Sequence, residues 1–202
     1  MMLLIDADKK TFSYCLMDND HIIKEGSETN LAHFKEKLCG LYRDNELEMV
    51  GYRVNNGGPT IDRTVVERTA SAVAHIGEDT CFGPNTDALM QEIVCFCWER
   101  FPACRHFICY DSAFFNKMPK HSRLFAIPVE YAEKGIIKYG RNGMVHEGAL
   151  RKLTSMKNGS SHEKVITVYL NNNTDMAALK NGDPVIGSKT VAVAEQLPLE
   201  FA

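Results

Sequence analysis

Two carboxylates stand where apolar runs end. In FICYDSAFFNKMP, residues 107–119, an apolar stretch runs into a single Asp111, and a small Ser-Ala pair, two phenylalanines and Met-Pro follow. In MLLIDA, near the start of the chain, Asp6 closes a second apolar run. Open α/β sheets bind ligands beyond the ends of their strands, so a carboxylate there can face a substrate. It can equally be the polar cap of a buried strand, and both readings stay open for Asp111. Lys9 and Lys10 follow Asp6 and either attract phosphate or form a charged turn. Arg53, in VGYRV, carries a planar fork that fits a carboxylate or a phosphate with two parallel hydrogen bonds. The Gly57-Gly58 pair reads as a turn, and Phe114 and Phe115 read as core.

The cysteines offer a second chemistry. Cys95, Cys97, Cys104 and Cys109 cluster around His106. A metal site needs Cys pairs two to four residues apart on turns. Here Cys95 and Cys97 fall on a predicted helix, roughly 200° apart at about 100° per residue, and Cys109 falls on a strand. The pattern therefore predicts no metal site, only small buried thiols in a reducing compartment.

The elements that position these residues follow from periodicity. MLLIDA, KTFSYCLM and HIIKEG read as three short strands joined by tight turns, with Phe12, Tyr14 and Leu16 on one face. Leu31, Phe34, Leu38 and Leu41 recur at helical spacing behind Asn30 as N-cap. EMVGYRV is a further strand. Residues 61–77 read as a helix closed by Gly77, and residues 85–101 as another halted by Pro102. HFICYD is the next strand. LFAIPVEYAEKGI predicts a strand entering a helix that Pro128 starts, and NGMVHEGALRKLTSM a last helix. After the linker-like KNGSSHE come three strands over residues 164–194, with turns at NNNTD and KNGD.

The order β-β-β-α-β-α-α-β predicts an α/β fold, a ribonuclease-H-like mixed five-stranded sheet, order 3-2-1-4-5, with helices on both faces. A partial second-domain β-meander follows. The expected domains are residues 1–156 and 163–202. Both faces of VITVYL carry apolar residues, so the meander predicts a cover from elsewhere, and a homodimer through residues 164–200 is expected.

Composition sets limits. The chain has 202 residues, 45% hydrophobic, with a net charge of −3. That balance predicts a packed globular protein without general affinity for nucleic acid. No apolar run reaches the ~20 residues that span a membrane. The N-terminal stretch lacks a cleavage pattern, so a cytoplasmic protein is expected.

The stretch from 107 to 150 resembles the acetate kinase (acetokinase) family. CYDSAFFNKMP is similar to the family's Val-Phe-Asp-Thr-Ala-Phe-His-x-Thr-Met-Pro, and YGRNGMVHEGAL to its Tyr-Gly-Phe-His-Gly-Thr-Ser-His. VGYRVNNGGPT looks like the family's Gly-His-Arg-Val-Val-His-Gly-Gly. LLIDADKKTFSYCL and VITVYLNNNTD fall where the family has its two phosphate loops. The resemblance covers nearly the whole chain but only about half of a family member, its first domain and the opening meander of its second.

The resemblance implies roles residue by residue. Asp111 matches the catalytic aspartate, and Arg53 the arginine beside the transferring phosphoryl group. Asp6 stands at the phosphate-binding asparagine of the first strand. Asn142 replaces the histidine that stabilises the phosphoryl group, and His146 matches the later histidine of the same motif. Gly83 falls near another family histidine. Asn171 and Asn173 replace phosphate-loop glycines. The family's second active-site arginine, magnesium-binding glutamate and adenosine pocket fall beyond Ala202. The expectation is an acetokinase-like protein without acetate kinase activity, a pseudoenzyme that serves as a binding or interaction domain, with no cofactor. A small carboxylate or phosphate is the expected ligand, near Arg53, Asp111 and Asn142. The alternative is a carboxylate kinase, using ATP and magnesium, that completes its site by pairing chains.

Overall fold

The computed structural model describes residues 1–7, 10–44, 46–55, 61, 63–69, 72–73, 76, 86–133, 136–156, 164–170, 174–188 and 190–191. The chain forms two compact units: Met1–Val54, Val65–Thr80 and Pro84–Cys109 make the first, and Asn55–Thr64, Cys81–Gly83 and Tyr110–Ala202 the second.

The first unit begins with strands β1 (Met2–Ala7), β2 (Phe12–Asp18) and β3 (His21–Glu28). Alternation makes them strands: Leu3, Ile5, Phe12, Tyr14 and Leu16 are buried while the residues between them are not. Asn19, in the left-handed region at φ 52°, turns β2 into β3. Helix α1 (Leu31–Asp44) starts at the predicted cap, where the Asn30 side chain accepts from the His33 N–H at 3.1 Å. Its Phe34 packs on Phe12 and Tyr14, with ring centroids 5.5 and 6.4 Å away. Strand β4 (Met49–Val54), short strand β5 (Val65–Glu67), helix α2 (Thr86–Arg100) and strand β6 (Arg105–Tyr110) complete the unit.

The sheet order is β3-β2-β1-β4-β6-β5. The fifth strand expected from sequence is β6, and it occupies the expected place beside β4. β5 is an addition, antiparallel to β6 from Val65↔Cys109 to Glu67↔Phe107. The helix expected over 61–77 is therefore overturned at residues 65–67. Two consecutive β-branched valines resist a helix. The ladder is extended by hydrogen bonds from Arg68 N–H to the His106 carbonyl and from Tyr110 N–H to the Thr64 carbonyl, both 2.8 Å. Among the described residues of that stretch Ala72 and Val73 are helical, and Thr69 Oγ1 accepts from the Ala72 N–H at 3.1 Å.

A buried polar pair sits under the sheet. The Tyr52 hydroxyl lies 2.7 Å from His106 Nδ1, and His106 Nε2 lies 3.1 Å from the Phe101 carbonyl oxygen. That carbonyl can only accept, so Nε2 carries the proton and Nδ1 accepts from Tyr52. Burial lowers the His106 pKa and keeps the ring neutral. Cys97 and Cys104 are buried thiols, and burial pushes Cys97 up to about 12.

The second unit starts with a 3-10 helix (Ser112–Lys117), then short helices α3 (Lys120–Arg123) and α4 (Val129–Glu133), strand β7 (Tyr139–Gly140) and helix α5 (Gly143–Met156). Pro128 precedes α4 as expected, but residues 124–127 form no strand. Phe125 and Ile127 pack instead around Ile136 and Tyr139, a small core that satisfies their apolar character without a ladder. Strands β8 (Lys164–Tyr169), β9 (Asp175–Lys180) and β10 (Asp183–Gly187) form an antiparallel sheet, order β10-β9-β8, and β11 (Thr190–Val191) pairs with β7. Asn181 and Gly182 turn β9 into β10 with φ of 53° and 90°, the two positive values a two-residue hairpin requires. The core of this unit joins Phe114, Phe115 and Met118 to Ala177 and Leu179. Among the described residues no helix is long and apolar enough to cross a membrane.

Candidate functional site

In the first unit, Asp6 and Arg53 are register partners across the parallel β1–β4 ladder. That pairing puts both side chains on one face, and Arg53 Nη1 meets Asp6 Oδ2 at 3.0 Å. Both side chains are about one-third or more exposed, so the ion pair is worth roughly 0–1 kcal/mol. Lys10 is exposed, while Lys9 lies outside the described residues.

In the second unit, Asp111 is 3% exposed and follows β6 directly. Its Oδ1 accepts from the Met144 N–H at 3.1 Å, so the carboxylate caps the first turn of α5. Gly143 allows this approach: a Cβ there would overlap the Asp111 carbonyl oxygen and crowd Phe114. Asp111 thus follows the end of β6, as the sequence places it, and its carboxylate also caps α5, a role the sequence did not show.

Asn142 precedes α5 with φ 55°, and its carbonyl accepts from Val145 and His146 N–H groups at 3.0 and 3.1 Å. Its side-chain amide donates to Asp175 Oδ2 at 2.9 Å. Asp175 is 1% exposed, and its other oxygen accepts from Ser188 Oγ at 2.9 Å. His146, also 1% exposed, has Nδ1 2.8 Å from Thr167 Oγ1. Its Nε2 lies 3.6 Å from Asp175 Oδ2, is buried, and has no hydrogen-bond partner. Beside a carboxylate, the tautomer with its proton on Nε2 is electrostatically favoured. Burial works against an ionised Asp175, but the donors on Asn142 and Ser188 and the neighbouring His146 outweigh it and hold the carboxyl below its usual range.

The structure therefore joins Asp6 to Arg53 in one unit, and brings Asn142 and His146 around Asp175 in the other. Asp175, Thr167 and Ser188 were not singled out from sequence. Asp175 closes NNNTD, which reads as a turn, and only its partners from distant parts of the chain give it a role. Gly57, Gly58, Gly83, Asn171 and Asn173 lie outside the described residues.

Residues 7–194 match the model of the acetokinase family. The chain belongs to the acetokinase family. It is 30% identical to acetate kinase from Treponema denticola over 199 residues, which is 96% of this chain and 49% of the relative. It spans about half the length of the curated relatives it matches. Its fold is similar to the crystal structure of Porphyromonas gingivalis acetate kinase, with a TM-score of 0.86 at 20% identity, over 95% of this chain and 58% of that one. A propionate kinase from Francisella tularensis gives 0.81 at 18% identity, over 95% and 58%. At such identities the likeness is one of fold, and the first unit has the ribonuclease-H-like sheet of the acetate kinase N-terminal domain.

Proposed function

We propose that this acetokinase-family chain is a binding unit for a small carboxylate or phosphate, and that it does not by itself transfer phosphoryl groups. One observation carries the reading. Position 142, where the family resemblance expects a phosphoryl-stabilising histidine, holds an uncharged amide whose N–H is committed to Asp175. Phosphoryl transfer rests on positioning and charge stabilisation, and losing one such donor raises the barrier by roughly 2.7–4 kcal/mol. Arg53, at the end of β4, keeps a fork that matches a carboxylate or phosphate. A cytoplasmic setting suits the free thiols.

An acyl-phosphate assay with magnesium-ATP and acetate, propionate or butyrate tests the first half. No product is expected above an Asp111→Asn control, and ATP-dependent product above it refutes the reading. Calorimetry with phosphate and acetate tests the second half. Binding that Arg53→Ala weakens supports it, and heats unchanged by Arg53→Ala refute it.

The alternative, a phosphotransferase completed by another chain, draws support from β8 standing, among the described residues, at the edge of its sheet. It predicts that magnesium-ATP raises the melting temperature.

A further inference from the structure

A groove in the first unit carries chemistry that the Asp6–Arg53 pair does not use. Helices α1 and α2 lie side by side and run in the same direction. Lys35, early in α1, meets Glu92 at 2.7 Å, and Tyr42, late in α1, stacks on Phe101 just after α2, with ring centroids 4.6 Å apart. Between the helices is a cavity of about 480 Å³. That is the size of an ordinary small-molecule site. Its floor is aromatic. Phe101 is fully buried, and Phe96 meets it edge-on at 6.5 Å. Tyr42, Phe96 and the Cys39 thiol are only half-buried and line the groove.

The charges around it are unequal. Lys35, Arg43 and Arg100 line the groove against one carboxylate, Glu36. Lys35 is already paired with Glu92, and its ammonium sits 5.1 Å from the Phe96 ring centroid. Arg43 and Arg100 stand in the last turns of their helices, and both are exposed. Among the described residues no carboxylate pairs with either guanidinium. Arg100 lies 6.0 Å from the Phe96 ring centroid, so its charge is held beside the aromatic floor. Along α1 the rise of 1.5 Å per residue puts Arg43 about 12 Å beyond Lys35, so the free cations gather at one end of the groove. A basic residue in a last turn complements the helix dipole and needs no ligand for that. The dipole accounts for the arginines but not for the aromatic rings left half open beside them.

We propose that the α1–α2 groove binds a small molecule that joins a flat aromatic ring to a carboxylate, with the ring on Tyr42 and Phe96 and the carboxylate on Arg43 and Arg100. Each part of such a ligand answers a feature of the groove. A flat ring stacks on the half-open aromatic side chains. A guanidinium takes a carboxylate through two parallel hydrogen bonds. Glu36 repels a ligand that is only an anion, and it accepts from an N–H group on one that also carries a donor. All the groove residues belong to the first unit, and none is part of the Asp6–Arg53 pair, so the inference does not depend on the proposed function.

The test uses the full chain and four probes: indole-3-acetate, tryptophan, tryptamine and acetate. Binding is read as the slowing of iodoacetamide alkylation at Cys39, followed by peptide mass spectrometry. Cys95, exposed and outside the groove, is the internal control. Indole-3-acetate should slow alkylation of Cys39 severalfold at saturation and leave Cys95 unchanged. Tryptamine and acetate each hold half of the chemistry and should bind about tenfold or more weakly than indole-3-acetate. The double variant Arg43→Ser, Arg100→Ser should lose about tenfold or more in affinity for indole-3-acetate, the worth of one or two charged hydrogen bonds. Both positions are exposed, so the variant keeps its fold, which circular dichroism checks. Tryptophan separates the two sources of the same chemistry. Binding tighter than indole-3-acetate, lost in Glu36→Gln, supports the site as one for an aromatic amino acid, and weaker binding supports it as one for a simple aryl acid. Three results overturn the proposal: Cys39 left unprotected by both indole-3-acetate and tryptophan at millimolar concentration; tryptamine as effective as indole-3-acetate, which makes the groove a ring site without an anion subsite; and protection that the double arginine variant leaves unchanged.

Discussion

Replacing Asp175 tests whether the buried network of the second unit is held by charge. The carboxylate accepts from Asn142 Nδ2 and Ser188 Oγ at 2.9 Å each and lies 3.6 Å from His146 Nε2. In Asp175→Ala both acceptors vanish and the buried ring loses its only near charge among the described residues. Two donors are then left without their buried acceptor, at about 1–3 kcal/mol each. For a chain of this length the sum lowers Tm by roughly 4–24 °C. Asp175→Asn keeps one acceptor oxygen and loses the charge, so its cost is about one charge-assisted hydrogen bond, roughly 1.5–3 kcal/mol. The pH dependence separates charge from packing. The Asp175 pKa is lower folded than unfolded, so its contribution is full above the unfolded value near 3.9 and fades as pH falls toward the folded value. Urea denaturation followed by circular dichroism between pH 7 and 3 should show wild type and Asp175→Asn converging below about pH 4. A gap that stays constant to pH 3, or an Asp175→Asn variant as stable as wild type at pH 7, refutes the reasoning.

Gly143→Ala should destabilise the second unit by about 1–3 kcal/mol or more, because the added methyl overlaps the Asp111 carbonyl and pushes α5 off its cap. Thermal unfolding measures this, and an unchanged Tm counts against the packing described. His106 is buried neutral, and the lowered pKa means that the unfolded chain takes up its proton first. Stability should therefore be full above about pH 6.5 and decline below it by up to ~1.4 kcal/mol per pH unit, until the folded ring also protonates. His106→Gln should remove that slope in urea titrations at pH 7, 6 and 5.

Sequence showed most of the fold where burial alternates cleanly. The opening meander, the Asn30 cap and the Asn181–Gly182 turn are local signals, written in neighbouring residues and backbone sterics. β5 was not legible, because a three-residue edge strand owes its form to pairing with β6 and its valines fit an amphipathic helical pattern. Phe125 and Ile127 looked like a strand for the converse reason: they are apolar and alternate, yet they serve a local core. At the candidate site Asp6 and Arg53 were legible as residues at strand ends. Asp175 was not, since its burial depends on donors at positions 142 and 188 that no local pattern connects to it.

The β1–β4 ladder also shapes how the chain is made. Met2 finds its parallel partner only at Met49. During translation the first meander therefore leaves the ribosome with its β1 edge bare, and at about 5–20 residues per second it waits roughly 1–5 s for β4. β1 is as apolar as β8, so for that interval the nascent chain can capture, or be captured by, neighbouring nascent chains. Slower synthesis over residues 20–49 lengthens the exposure and should send more of the product into inclusion bodies, while a trigger-factor-like holdase shortens it. The vulnerable moment comes early in synthesis, before any residue of the second unit has been added.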